Sequence, residues 1–396
     1  MCARKVGQLE VADIFRRYGV VYRSAHPMPL KRLRAMRAIE TCRTADQGGH
    51  VDECDHCGNK VISYNSCRNR HCPKCQFLKK EQWIEAREED LLPIPYFHVV
   101  FTLPDKLNPL VLRNQEVLYG LLFKAVSETL IELAANPKHL GAVIGFISIL
   151  HTWGQNLMHH PHIHNIVPGG GLTRDGRKWK SCKKDFFVHV KVMSKLFRGK
   201  FLAYLRKSRA ANELVYPGAV SHLASPGAFN ALIADLYKKD WVVYCKPPFD
   251  GTKGVLEYLG RYTHRIAISN HRIVKMEDDK VSFRWRDYAD NNKSKIMTVD
   301  ADEFIQRFLL HVLPDRFVKI RHYGLLGNRC RKEKLTACRR LLACTPKENN
   351  KTTETWQEAL LRFTGIDITK CPVCKEGKMR TREILRPARC KGPPQS

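Results

Sequence analysis

The chain has 396 residues, 43% of them hydrophobic, enough for two or three domains with at least one sizeable core. No apolar run approaches the ~20 residues of a helical membrane span, and Met1-Cys2-Ala3-Arg4-Lys5 is not followed by the apolar segment of a secretion signal. Sixty-eight Lys and Arg against 39 Asp and Glu leave +29 spread along the chain, a field that favours a polyanionic partner, because neutralising phosphates releases condensed counterions.

Residues 9–41 read as two arginine-rich helices separated by a break at Pro27 and Pro29, with Phe15, Val20, Leu30, Leu33, Met36 and Ile39 at helical spacing. Residues 42–76 are rich in Cys, His, Gly and Asn and too poor in apolar side chains to fold by packing alone. A polar helix over 79–90 follows and stops before Pro93 and Pro95. The run Tyr96 to Leu103 is apolar and β-prone and predicts a buried strand. A long helix is expected over 109–135, a second buried strand over 142–153, and a third over 160–167 that closes on Pro168-Gly169-Gly170-Gly171. Two helices fill 189–238, and a strand over 241–245 ends at Pro247-Pro248. A short helix over 252–263 and a hairpin between 265 and 286 complete the readable part. Strands with intervening helices predict an α+β domain on a small antiparallel sheet. The expected division is a helical region 1–41, a zinc module 42–92, a sheet domain 93–290 and a basic C-terminal region 291–396.

Fifteen cysteines without a secretion signal argue for metal rather than disulfides. Cys54-x-x-Cys57 and Cys72-x-x-Cys75 are two knuckles that together can give zinc four thiolates. Zinc suits sulfur and has no redox chemistry, so the role is structural. Cys42 with His50 and Cys67 with His71 make a second set by spacing; the alternative is one zinc, with those four residues packed or exposed. Arg68, Asn69 and Arg70 either reach phosphates or form a solvated loop.

In a strand, His162 and His164 lie on one side roughly 6.6 Å apart, while Ile163 and Val167 point to the other face. Two imidazoles on a rigid strand can ligate one cation and leave positions open for phosphate oxygens. Gln155 or His151 can supply a third ligand, or each is a polar residue satisfied at a strand end. Tyr258 and Tyr262, four apart on a helix, share a face about 6 Å apart along the axis. With Val255 and Leu259 they could simply pack on the sheet. A phenol has a pKa near 10 and attacks phosphorus only with help from a cation or base. Such an attack leaves a 5′-phosphotyrosine and a free 3′-hydroxyl and keeps the phosphodiester energy for rejoining.

At these residues the sequence resembles the HUH endonucleases, and more closely the two-tyrosine transposases of the insertion sequence 91 family. The resemblance spans roughly residues 40–330. It rests on the string Ser63 to Cys75, Phe101-Thr102-Leu103-Pro104, His160 to His164 with Val167 to Gly171, Tyr258 to Arg265, and Arg321 to Leu326. It implies a rolling-circle transposase that cuts single-stranded element ends with Tyr258 and Tyr262 as nucleophiles. His162 and His164 would hold magnesium or manganese, and the setting would be the bacterial cytoplasm, with DNA as partner, no membrane and no nucleotide cofactor. No phosphate-cradling G-x-x-x-x-G-K-[ST] string is present, as a helicase-linked initiator or relaxase would need. A non-catalytic zinc-dependent DNA-binding protein explains the charge and cysteines but leaves the histidines and tyrosines unexplained. A water-activating phosphohydrolase would usually place more carboxylates near the histidines. Cys371-x-x-Cys374 is half a zinc knuckle that Cys330, Cys338, Cys344 or Cys390 could complete; otherwise these are free thiols.

Overall fold

The computed structural model describes residues 9–75, 77–183, 187–249, 251–262, 267–288, 290–344 and 354–388. Helices α1 (Val11–Ala25) and α2 (Leu30–Glu40) are parted at the two prolines. Strands β1 (Gly49–Cys54) and β2 (Lys60–Tyr64) form a hairpin, and α3 (Phe77–Glu88) follows. Next come β3 (Tyr96–Thr102), α4 (Asn108–Arg113) and α5 (Gln115–Ala135). The expected single helix is interrupted at Asn114, whose φ is −126° and whose side chain binds Leu110 O and the backbone of Val215. Then follow β4 (Gly145–Trp153), β5 (His159–Pro168), the ribbon β6 (Gly170–Leu172) and β7 (Trp179–Ser181), α6 (Val190–Ala210) and α7 (Pro226–Lys238). The rest is β8 (Val243–Phe249), α8 (Gly251–Tyr262), β9 (Ile273–Glu277), β10 (Lys280–Asp287), β11 (Lys293–Asp300), α9 (Ala301–Leu309), β12 (Ile320–Gly324), α10 (Arg331–Leu341), α11 (Trp356–Thr364) and β13 (Met379–Leu385). Among the described residues no helix is long and apolar enough to cross a membrane.

The fold is the expected α+β arrangement, an antiparallel sheet flanked by helices. Five strands run in the order β12-β4-β5-β3-β8, with the histidine strand β5 in the centre. Ile163 and Val167 point to the face covered by α5 and α6, with Phe97, Phe101, Phe146, Phe197 and Phe201. The opposite face carries Ile147, Ile149 and Ile166 and is covered by α8 and α10 through Val255, Tyr258 and Leu335. Strand β8 runs through Pro247 and Pro248 instead of ending there. It is an edge strand, where a missing N–H on the outer side costs no ladder bond.

A second body joins α1, α2 and α9 to the sheet β11-β10-β9 around Phe15, Met36, Phe283, Phe304 and Phe308. The hairpin turn uses Asp278 and Asp279 at φ 49° and 56°, the two positive values a type I′ turn requires. His311 locks this body to the main sheet: its Nε2 donates to Leu157 O at 2.9 Å and its Nδ1 accepts from Thr152 Oγ1 at 3.1 Å. Burial pushes His311 down to about 4. The unfolded chain therefore takes up a proton near pH 6.5 that the native state refuses, and stability falls as pH drops from 6.5 towards 4, by up to about 1.4 kcal/mol per pH unit. Melting temperatures between pH 7 and 5 should fall less steeply in His311→Gln, and an unchanged slope would refute this.

In the string at 321–326, Gly324 holds φ +59° against Gly145 in the β12–β4 pair, and a Cβ there would collide with the Ile144 carbonyl. Gly324→Ala should cost roughly 2–4 kcal/mol, read by denaturant unfolding, because strain and clash add.

Candidate active site and metal centres

The ladder decides which side chains share the α8-covered face of the main sheet. His162 pairs with Thr102 and His151, His164 with Val100 and Ile149, and His98 with Ile166. Directly opposed residues share a face, so His98, His151, His162 and His164 all lie there. Each of His151, His162 and His164 offers a ring nitrogen, all within 4.8 Å of one another. Burial holds His162 near 3 and drives His164 well below its ordinary value, which leaves both neutral and able to ligate. His162 Nδ1 donates to His160 O at 2.6 Å, which turns the Nε2 lone pair outward, as metal-ligating histidines require. Three imidazoles whose nitrogens converge this closely fit a divalent cation.

Gln155, the other expected third ligand, lies beyond the end of β4, and its amide donates to Tyr288 Oη at 3.1 Å. The side chain grouped with His162 and His164 is His151, which stacks on Trp153 at 4.6 Å.

Tyr258 projects from α8 into the same site. Its hydroxyl lies 2.5 Å from His98 Nε2 and 2.6 Å from His164 Nδ1, and those two nitrogens are 2.9 Å apart. One arrangement satisfies all three. His164 Nδ1–H donates to Tyr258 Oη, Tyr258 O–H donates to His98 Nε2, and His164 Nε2 stays available to a metal. Burial pushes His98 down to about 3, helped by the Lys246 ammonium. His98 has no counterpart among the expected site residues. Its signal was a lone titratable side chain inside the apolar run from Tyr96 to Phe101, which reads equally well as core. The Tyr262 side chain lies outside the described residues.

The thiols group differently from expectation. Cys42, Cys67, Cys72 and Cys75 form one cluster, and Cys54, Cys57, Cys371 and Cys374 another. The set Cys54, Cys57, Cys72 and Cys75 is therefore not brought together. Nor are His50 and His71 ligands. His50 pairs with Asp52 at 3.1 Å, while His71 Nε2 accepts the Leu313 N–H and its Nδ1 faces Asn69 Oδ1. None of Cys330, Cys338 and Cys344 joins the C-terminal knuckle, and Cys390 lies outside the described residues. In the first cluster Cys42 and Cys67 stand 3.5 and 3.6 Å from Cys75. Four thiolates at Zn–S ~2.3 Å would have sulfur edges of roughly 3.8 Å, so the donor set fits zinc. Without a cation the four cannot ionise together: thiol hydrogen bonds lower Cys42 to about 7 and Cys75 further, and push Cys67 and Cys72 up. Arg70 is tied to Phe317 O at 2.8 Å and Asn69 to His71, so of that loop trio Arg68 is the exposed one.

Residues 145–334 match a family model described as "Putative transposase", and residues 14–103 match a transposase zinc-binding domain. The chain is 51% identical over 389 residues to "Putative transposase y4qJ" of Sinorhizobium fredii, covering 96% of this chain and 98% of that one. It is 29% identical over 279 residues to the transposase for insertion sequence element IS801 of Pseudomonas savastanoi pv. phaseolicola, covering 69% of this chain and 65% of that one. No solved structure matches the chain. The second match carries the name of an insertion sequence, and the zinc-binding match begins within α1 and takes in both N-terminal knuckles.

Proposed function

The chain belongs to the transposases of the insertion sequence 91 type, a DNA-acting family with a structural zinc domain, and we propose that it cuts one DNA strand with Tyr258 and carries the end as a 5′-phosphotyrosine. The observation that carries this reading is the Tyr258 hydroxyl lying within 2.6 Å of His164 on the face that also holds His151 and His162. His151, His162 and His164 would hold a divalent cation. Magnesium or manganese follows from the family resemblance, since imidazoles alone suit zinc or nickel equally. When bound, the ion polarises the scissile phosphate and eases departure of the 3′ oxygen.

The chain's own residues do the rest. His164 Nδ1–H orients the phenol oxygen, and His98 Nε2 takes the phenolic proton as the oxygen–phosphorus bond forms. The bond from phosphorus to the 3′ oxygen breaks, and that oxygen leaves as a hydroxyl after taking a proton from solvent. The retained phosphodiester energy allows the 5′ end to pass to a new 3′-hydroxyl without a nucleotide cofactor. Tyr262, one turn further along α8, would make the second cut of a rolling-circle movement. A structural zinc sits between Cys42, Cys67, Cys72 and Cys75.

The test mixes protein with labelled single-stranded DNA from an element end and manganese, then looks for an SDS-resistant adduct. The adduct should require metal and disappear in Tyr258→Phe/Tyr262→Phe. Tight DNA binding without any adduct on cognate ends would instead indicate a zinc-dependent DNA-binding protein.

A further inference from the structure

We infer that Cys54, Cys57, Cys371 and Cys374 form a second zinc site, a clasp that joins the N-terminal module to the C-terminal segment. The four thiols come from two loops separated by more than three hundred residues, yet Cys54 and Cys374 lie 3.7 Å apart and Cys57 and Cys371 3.6 Å apart. Those spacings are far longer than a disulfide, at ~2.05 Å. They match the ~3.8 Å edge of a tetrahedron around one zinc ion and leave no room for an iron–sulfur cluster, which spreads its thiolates over several metal atoms. Apolar packing does not explain the gathering. Cys57 is exposed, and none of the three apolar clusters among the described residues includes any of the four.

The two loops are built alike. The residue after the second cysteine is left-handed in each, Gly58 at φ 69° and Lys375 at φ 64°. Backbone N–H groups aim at the sulfurs: His56 and Cys57 at Cys54 Sγ and Gly377 at Cys374 Sγ, each at 3.4 Å. Such donors stabilise thiolate rather than thiol. At Gly377 any Cβ would fall on the Cys54 sulfur, so the two knuckles approach as closely as backbone permits.

The clasp has a mechanical consequence. It pins the Cys54↔Met379 end of the β1–β13 ladder, beside the bonds donated by Lys378 N–H to Asp55 Oδ1 and by Thr381 Oγ1 to Asp52 Oδ1. That ladder holds the segment bearing α11, whose Arg362 pairs at 3.0 Å with Glu85 on α3, and α3 packs on the tyrosine helix α8. Closing so long a loop also removes freedom from the unfolded chain. Zinc binding would release the thiol protons to solvent.

Elemental analysis of the purified full-length protein should find two zinc ions per chain, falling to one in Cys371→Ser/Cys374→Ser. Cys182→Ser/Cys245→Ser should keep both. In the clasp variant a protease should cut within 354–388 at doses that leave the native protein intact. If that variant does not fold, alkylation of the native chain decides: exposed Cys57 should resist iodoacetamide until a chelator is added. One zinc in the native protein unaffected by the clasp substitutions, iron in place of zinc, or immediate labelling of Cys57 would each overturn the inference.

Discussion

Tyr258→Phe is expected to yield no SDS-resistant DNA adduct and to slow strand cleavage by at least ~10⁴-fold, the scale of losing a covalent nucleophile. The substitution isolates chemistry from folding. The phenyl ring keeps its buried place among Val255, Ile166 and Leu335. His98 Nε2 and His164 Nδ1, 2.9 Å apart, remain within reach of each other once the hydroxyl is gone. Two hydrogen bonds at roughly 1 kcal/mol each bound the loss of stability, so the melting temperature should move by only a few degrees. Gel analysis of the first cleavage, run beside Tyr262→Phe, reads the order of the tyrosines. An adduct that survives at native level in Tyr258→Phe and vanishes in Tyr262→Phe would assign the first attack to Tyr262 and refute Tyr258 as the first nucleophile.

The proposed mechanism places different mechanical demands on Tyr258 and on the imidazoles, which sit on different elements. A central strand fixes His162 and His164 by ladder bonds on both sides, so their spacing cannot drift. Under the proposed mechanism the tyrosine needs a different freedom, since it would carry a DNA end. Tyr258 instead sits on a helix that meets the sheet through packed side chains such as Val255, with α3 behind it.

The periodicities of strand and helix are also why this part of the site was legible in the sequence. Alternation by two placed His162 and His164 on one face, and helical spacing put Tyr258 on a helix, while the Tyr262 side chain lies outside the described residues. His98 was not legible, because its membership of that face depends on register across β3 and β5, which no local pattern encodes. The third imidazole was open for the same reason: His151 faces His162 across the ladder, while Gln155 is closer in sequence to a strand end than to the site. The cysteines failed differently. A Cys-x-x-Cys pair announces that two thiols share a metal, but not which other pair completes the set. Cys72 and Cys75 joined Cys42 and Cys67 nearby, whereas Cys54 and Cys57 found partners at the far end of the chain. The prolines of β8 misled because an edge strand tolerates what a central one cannot.

Cys72→Ser should cost more stability than Tyr258→Phe, His311→Gln or Gly324→Ala, because its sulfur belongs to a metal site and to an apolar core at once. Cys42 and Cys72 are fully buried within the cluster that holds Phe15, Met36, Leu157 and Phe308. Structural zinc contributes on the order of 10–16 kcal/mol in small domains, comparable with the whole stability of a typical protein, about 5–15 kcal/mol. A serine in that tetrahedron gives up one thiolate and buries a hydroxyl whose partners are thiols. The knuckle also carries the His71–Leu313 and Arg70–Phe317 bonds, which fix the loop between α9 and β12. Losing the ion should therefore melt α1, α2 and β9–β11 together while the five-stranded sheet persists. Calorimetry should show a low-temperature transition split from the main one, with one zinc fewer per chain, and the same split should appear when a chelator is added or when acid protonates the thiolates. A single unsplit transition at the native temperature would mean that the apolar cluster stands without the metal. The Cys371→Ser/Cys374→Ser protein provides the contrast: it also loses one zinc, but its thiols belong to none of the apolar clusters among the described residues, so it should free the C-terminal segment and leave this transition where it was.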